Sequence, residues 1–260
     1  MELSKRLQAV ADLVTDGYKT ADIGTDHAYI PIYLLEHHIA PFAIAMDVNV
    51  GPLERARAHV REKHLEEKIT LRLSDGFEAL VPGEADTAIL AGMGGGLVMK
   101  ILKENWDVTL QLKECILQPQ SEIAKVRAFL LKEGFLFLAE DMVLEDGKFY
   151  PMMKVKPPVR RERQNIEVPG SGLSYAEEAC GEGQKECPHR GWSDVEICYG
   201  RLLLEGKHPV LKQFLEKEIQ LKTKILRNLE GQDSEHARQR MRELDQELSQ
   251  AQKGMEYYAV

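Results

Sequence analysis

Cysteine is scarce in this chain: Cys115, Cys180, Cys187 and Cys198 are four in 260 residues, too few and too scattered for a disulfide framework. A reducing compartment is therefore expected. Long apolar runs are missing as well. The N-terminal stretch MELSKRLQAVADLV mixes acids and bases into an amphipathic helical pattern, unlike the unbroken core of a signal peptide. No segment approaches the length of a membrane span, so a cytoplasmic protein without a membrane partner is expected. Basic charge is not in excess: 34 Lys and Arg stand against 42 Asp and Glu, for a formal net charge of −8. That excludes a uniformly basic surface for nucleic acid but leaves room for a local basic patch. Cys180, Cys187, His189 and Cys198 match no C-x2-C or H-x3-H pair, and no metal site is expected.

What is present is an α/β pattern. Strand-like runs at 20–25, 42–48, 69–73, 87–93 and 114–118 alternate with helical stretches at 28–38, 51–63, 95–104 and 122–133. Such alternation predicts a parallel sheet covered on both faces. Two further extended runs, 135–144 and 148–155, flank Glu145-Asp146-Gly147, and Asp-Gly between apolar runs signals a hairpin. The expected sheet is thus seven-stranded, mostly parallel, and closes on an antiparallel pair, an ending typical of class I methyltransferases. Residues 160–195 are rich in Gly, Pro, Ser and charge and read as an irregular insertion. Beyond it, apolar stripes at 208–230 and 235–252 around a short break predict an antiparallel helical hairpin. The expected organisation is a Rossmann-like domain over 1–159, the insertion over 160–195, and a helical hairpin domain over 196–260.

The chemistry-bearing residues gather at the predicted strand ends. The first turn reads Asp22-Ile23-Gly24-Thr25-Asp26-His27-Ala28. A dinucleotide fold wants G-x-G-x-x-G here, so that backbone can meet a pyrophosphate. One Gly and two carboxylates would repel a diphosphate and suit a ligand carrying a sulfonium and an ammonium. Asp47 ends the second strand, where Rossmann-like folds bind a ribose diol. Asp75 ends the third and could accept an adenine amino hydrogen, with Gly76 letting backbone pass close to the ring. The fourth strand ends in Ala91-Gly92-Met93-Gly94-Gly95-Gly96, bare backbone against which something flat could lie. Each feature alone is compatible with an ordinary turn or cap; their shared position at successive strand ends carries the inference. The Asn/Asp-Pro-Pro-aromatic motif of exocyclic-amine methyltransferases is absent, which leans toward a ring nitrogen as target.

On these residues the chain resembles the bacterial tRNA adenine-N1 methyltransferases that modify adenine 22. The resemblance rests on LSKRL (3–7), ADIGTDHAYIPIYL (21–34), AIAMDVNVGPLERA (43–56), LSDGFEAL (73–80), AILAGMGGG (88–96), LQPQSE (117–122) and DGKFYPM (146–152), and resumes at 196–203. Arg201 stands where the family usually has Pro. The resemblance implies S-adenosylmethionine as cofactor, held by Asp22, Gly24, Asp47, Asp75 and Gly92 with their neighbours Val48, Gly76 and Ala91. Asp26 is the expected group nearest the chemistry and His27 a second candidate. Lys5, Arg6, Met93, Lys154, Arg160 and Arg161 are expected on the tRNA side, with Arg55, Arg57 and Arg61 a further group of cations. No stable protein partner is expected. A methyltransferase of a small metabolite or of another RNA site shares the same cofactor residues, and a non-enzymatic scaffold would not need every acid intact.

Overall fold

The structure, a computed structural model, describes residues 2–159, 191–229 and 234–259. Its core is a seven-stranded sheet in the order β3-β2-β1-β4-β5-β7-β6. The strands are β1 (Thr20–Ile23), β2 (Ala43–Asp47), β3 (Ile69–Leu73), β4 (Thr87–Met93), β5 (Glu114–Pro119), β6 (Leu136–Glu145) and β7 (Lys148–Lys156). The first five pair in parallel; β7 runs antiparallel to both β5 and β6. Side chains alternate across the central strands, which sorts the apolar residues into two layers. Ile23, Met46, Leu90, Leu117 and Met153 face one layer, completed by Phe77, Ile101, Val126 and Leu130. Ile89, Ile116 and Met152 face the other.

That second layer is closed by the N-terminal helix α1 (Lys5–Asp12), which buries Ala9, Val10 and Ala11 against α2 (Tyr29–Glu36) and the sheet. Ser4 caps α1 by accepting from the Leu7 amide at 3.4 Å, so the helix starts where Arg6 projects from its first turn. Pro31 in α2 and Pro52 in α3 (Val50–Glu62) both fall in a first turn, where the missing N–H removes no internal bond. Helices α4 (Gly95–Glu104), α5 (Trp106–Thr109) and α6 (Ile123–Lys132) cover the opposite face.

After the residues that are not described come α7 (Asp194–Tyr199), α8 (Arg201–Glu205), α9 (Pro209–Leu229) and α10 (Glu235–Glu256). As α9 advances from Leu215 to Lys222, its contacts on α10 retreat from Gly254 to Glu247, so the two helices are antiparallel. They pack on the terminal β-hairpin through Met142, Phe149, Leu211, Phe214 and Leu215. A buried ion pair fastens the joint. Arg127 of α6 and Glu140 of β6, 1% and 0% exposed, pair at 2.8 Å. Arg127 Nη1 also donates to the carbonyls of Ile197 and Cys198, while Glu140 accepts from the Leu202 amide. A Cβ on Gly200 would stand 2.6 Å from the Glu140 carboxylate, so only glycine lets the chain pass. Helices α5, α7 and α8 were not expected from the periodicity. Each is six residues or shorter, too brief to show a stripe, although Ser193 and Glu196 form a capping box that is readable as S-x-x-E.

Candidate active site

The strand ends open into a cleft of about 300 Å³ between β1, β4 and α1. Asp22, Gly24, Asp26, Ala91 and Gly92 line one side, and Arg6, Tyr29 and Gln120 close it. The structure therefore brings together six of the residues singled out from sequence. Gly24 takes φ +74°, and its amide and that of Thr25 both donate to the Met46 carbonyl at 2.8 Å, folding the chain back over β2. A Cβ at Gly24 would stand 3.1 Å from the Met93 Cε, which places Met93 against the turn. Gly92, at φ +83°, faces Arg6 Nη1 and Gln120 Nε2 across a gap that a side chain would fill.

Asp22 is 6% exposed. Burial, with Asp47 adding repulsion and Thr25 working the other way, raises its pKa to about 6. No cation reaches either carboxylate among the described residues. Among the described residues Asp47 accepts the Asn49 amide at 2.7 Å, and Asp22 is eased only by the nearby Thr25 hydroxyl. A buried carboxylate repelled by a second, half-buried one and matched by no cation suits a ligand that brings positive charge. The residues present thus fit an S-adenosylmethionine-like group, whose ammonium and sulfonium would relieve Asp22. Val48 and Leu73, 58% and 57% exposed at the adjoining ends of β2 and β3, add two bare apolar side chains beside Asp47.

The turn after Gly24 is strained. His27 and Ala28 take φ +63° and +55°, consecutive left-handed residues without glycine. Arg55 of α3 holds them: its Nη2 lies 2.9 Å from Asp26 Oδ1, and its Nε donates to His27 Nε2 at 3.2 Å. Asp26 remains 64% exposed at the mouth of the cleft, its other oxygen available. His27 differs. Its Nε2 accepts from Arg55, and its Nδ1 is buried without a hydrogen-bond partner among the described residues.

Several of the expected residues stand elsewhere than in the cleft. Lys154 does not face a nucleic acid: its ammonium lies 3.1 Å from the buried Glu114 and donates to Thr15 Oγ1 at 2.7 Å, at the opposite end of the sheet. Gly76 makes room for protein rather than ligand, because a Cβ there would come within 2.9 Å of Ile101 in α4. Gly95 is likewise packed against Ser121 and Val126, and the Gly96 amide donates to Glu122, so of the glycine run only Gly92 lines the cleft. Asp75 is exposed and Asp47 half-buried, both outside the cleft lining, and Lys5 is exposed on α1. Arg160, Arg161, Cys180, Cys187 and His189 lie outside the described residues.

Other residues here were not singled out from sequence. Gln118, fully buried, accepts from Arg6 Nη1 at 3.1 Å, and Tyr150 lies under the Arg6 guanidinium at 5.6 Å. In the sequence Tyr29 is part of the 21–34 stretch and of the helix expected over 28–38, with no role of its own.

Comparison with known proteins agrees with this geometry. Residues 3–153 match the family described as methyltransferase domain. A Bacillus subtilis tRNA (adenine(22)-N(1))-methyltransferase is 40% identical over 153 residues, 59% of this chain and 64% of its own length. The chain thus matches somewhat less than two thirds of that relative. The crystal structure of the B. subtilis M1A22 tRNA methyltransferase TrmK is 30% identical with a TM-score of 0.75, covering 98% of this chain and 99% of the other. A Streptococcus pneumoniae protein described as a candidate tRNA (m1A22) methyltransferase, solved in complex with S-adenosyl-L-methionine, is 27% identical with a TM-score of 0.76, covering 98% and 100%. The chain belongs to the methyltransferase-domain family and, within it, to the tRNA (adenine(22)-N(1))-methyltransferases.

Proposed function

We propose that this chain methylates N1 of adenine 22 in tRNA, using S-adenosylmethionine. The observation that carries the reading is the uncompensated pair Asp22 and Asp47 behind a cleft whose mouth holds Asp26. When bound, S-adenosylmethionine supplies an electrophilic methyl group on a sulfonium. Asp22 and the Gly24 and Gly92 backbone would hold its amino-acid end, Asp47 the ribose, and Val48 and Asp75 the adenine. The target adenine enters from the Arg6–Tyr29 side. Its N1 lone pair forms the new bond as the methyl–sulfur bond breaks, and that bond's electron pair stays on sulfur. The ring becomes cationic. Asp26, accepting from the target's N6 amino group, would stabilise that charge as it develops. Holding the reacting atoms about 3–3.5 Å apart is the main contribution such a site makes.

The helices from residue 196 onward extend from the hairpin, and we assign them to tRNA contact together with Lys5 and Arg6, as a domain distinct from 1–159. Activity on tRNA implies a cytoplasmic protein; among the described residues no helix is long and apolar enough to cross a membrane.

The test is nucleoside mass analysis of tRNA incubated with labelled cofactor, alongside a tRNA carrying guanine at position 22. Methyl-1-adenosine should form only in the first. Transfer to the second would point to another RNA site, and none to either would remove tRNA as substrate. Asp26→Asn should lower kcat by about 10²–10³-fold, the scale of removing one transition-state hydrogen-bonding group, with cofactor affinity unchanged.

A further inference from the structure

We propose that His27, Tyr29 and His59 form a second nucleotide subsite, on which a base adjoining the target adenosine stacks. The proposal rests on the reading above that RNA is the substrate. The three rings meet beside the cleft, with centroids 5.0 Å apart for His27 and Tyr29, 5.1 Å for His27 and His59, and 5.5 Å for Tyr29 and His59. The His27 and Tyr29 planes are within 4° of parallel, and His59 tilts from them by 25° and 22°. Packing of rings for its own sake more often buries them in a core, yet each of these three is only half-buried. Tyr29 belongs both to this group and to the lining of the cleft, so the stack continues the target pocket without a break.

The protein holds this group in place at a cost. Two consecutive left-handed residues, His27 and Ala28, present the His27 ring. His59 Nδ1 bonds the His27 carbonyl at 3.1 Å, tying α3 to the strained turn. His27 Nδ1 is left buried without a partner. A merely structural turn would gain nothing from that combination. The ligand class follows from the chemistry. Flat, half-exposed rings accept nucleobases by stacking, largely regardless of which base is offered. Arg55, 49% exposed one helical turn before His59, sets a guanidinium beside them where a neighbouring phosphate would lie. Unpaired nucleotides on either side of a target must be splayed apart before its ring nitrogen can be reached, and a platform for the neighbour would hold that state open.

The experiment compares wild type with His59→Ala, His59→Leu and His59→Phe on intact tRNA and on tRNAs abasic immediately 5′ or 3′ of adenine 22. Loss of one stacked base should raise KM for tRNA about tenfold in His59→Ala and His59→Leu, with kcat within about twofold. His59→Phe, which keeps a ring, should recover most of the loss. One of the two abasic tRNAs should raise the wild-type KM by a similar factor and add nothing further to His59→Ala. Cofactor affinity, measured by calorimetry, should be equal in all four proteins. The proposal is overturned if neither abasic tRNA differs from intact tRNA with wild type, an arm that needs no variant to fold, or if His59→Leu recovers as well as His59→Phe. A wild type inert on intact tRNA overturns the substrate reading instead.

Discussion

The two ends of the central sheet treat buried carboxylates in opposite ways. At the end where the parallel strands begin, Glu114 is 2% exposed and saturated. It accepts from the Thr15 amide and hydroxyl and from the Thr87 hydroxyl, and pairs with Lys154. At the end where they finish, Asp22 is nearly as buried, faces Asp47, and has no cation among the described residues. The first arrangement spends a carboxylate on holding the protein together. The second leaves one waiting for a charge from outside. Burial alone therefore says little about role; the partners decide.

The largest effect should come from breaking a saturated pair. Arg127→Met leaves Glu140 fully buried and without its guanidinium, which should remove about 3–5 kcal/mol of stability in denaturant unfolding. Because the same guanidinium bonds the carbonyls before Gly200, the loss should appear first as release of the C-terminal helices, read by limited proteolysis. If Arg127→Met unfolds no more easily than wild type, the joint does not depend on this pair.

The unsaturated end should respond with the opposite sign. Asp22 has a folded pKa of about 6 against an ordinary 3.8, so its contribution favours the folded state at low pH and is lost as pH rises through 6. Without cofactor, that amounts to roughly 2–2.5 kcal/mol between pH 4 and pH 7, at about 1.4 kcal/mol per unit. Asp22→Asn should flatten this slope in pH-dependent unfolding while weakening cofactor binding. Cationic cofactor needs the ionised carboxylate, so its affinity should climb toward pH 6 and level above it. Calorimetry in two buffers should detect close to one proton released per cofactor at pH 5 and almost none at pH 8. A pH-independent affinity would remove Asp22 as the cation's partner.

Glu114→Gln sharpens the comparison from the other side. It should cost about 1.5–3 kcal/mol, the scale of hydrogen bonds to a charged group, and leave cofactor affinity within about threefold. A large change in affinity would mean that the two ends are coupled through the strands.

Much of this was legible in the sequence, and the pattern of what was not is physical. The third and fourth strands, β3 and β4, and the helix after the fourth, α4, have the expected bounds, because their apolar periods run unbroken between turn residues. The turn at Asp22 and Gly24 was readable because acids and a lone glycine at a strand end are chemically odd. Lys154 was misread for the converse reason: in sequence it belongs to a basic run, and only the pairing of β5 with β7 brings it to Glu114. Gly76 and Gly95 show the same limit. A glycine beside a site looks the same in sequence whether it admits a ligand or, as here, Ile101 and Ser121. The ring group of His27, Tyr29 and His59 needed α3 to be folded back across thirty residues of chain before it existed.

The smallest effect concerns Arg201, where the family usually has Pro. It opens α8 just after Gly200, which sits at φ +94° and ψ +117°. A first helical position needs no amide donor, and an extended ψ on the preceding residue accommodates a proline ring. Arg201→Pro should therefore fit without strain. It forfeits an exposed pair with Glu205 at 2.7 Å and a longer one at 3.6 Å with the buried Glu196, which keeps its capping-box bond to the Ser193 amide, together a few tenths of a kcal/mol. Proline's restriction of the unfolded chain returns about 0.4–1 kcal/mol. The two nearly offset, and the unfolding free energy should stay within about 0.5 kcal/mol of wild type. A larger loss would show that the Glu196 pair, at the foot of the capping box, orients the helical tail rather than decorating it, and would move Arg201 from the exposed surface into the same class as Arg127.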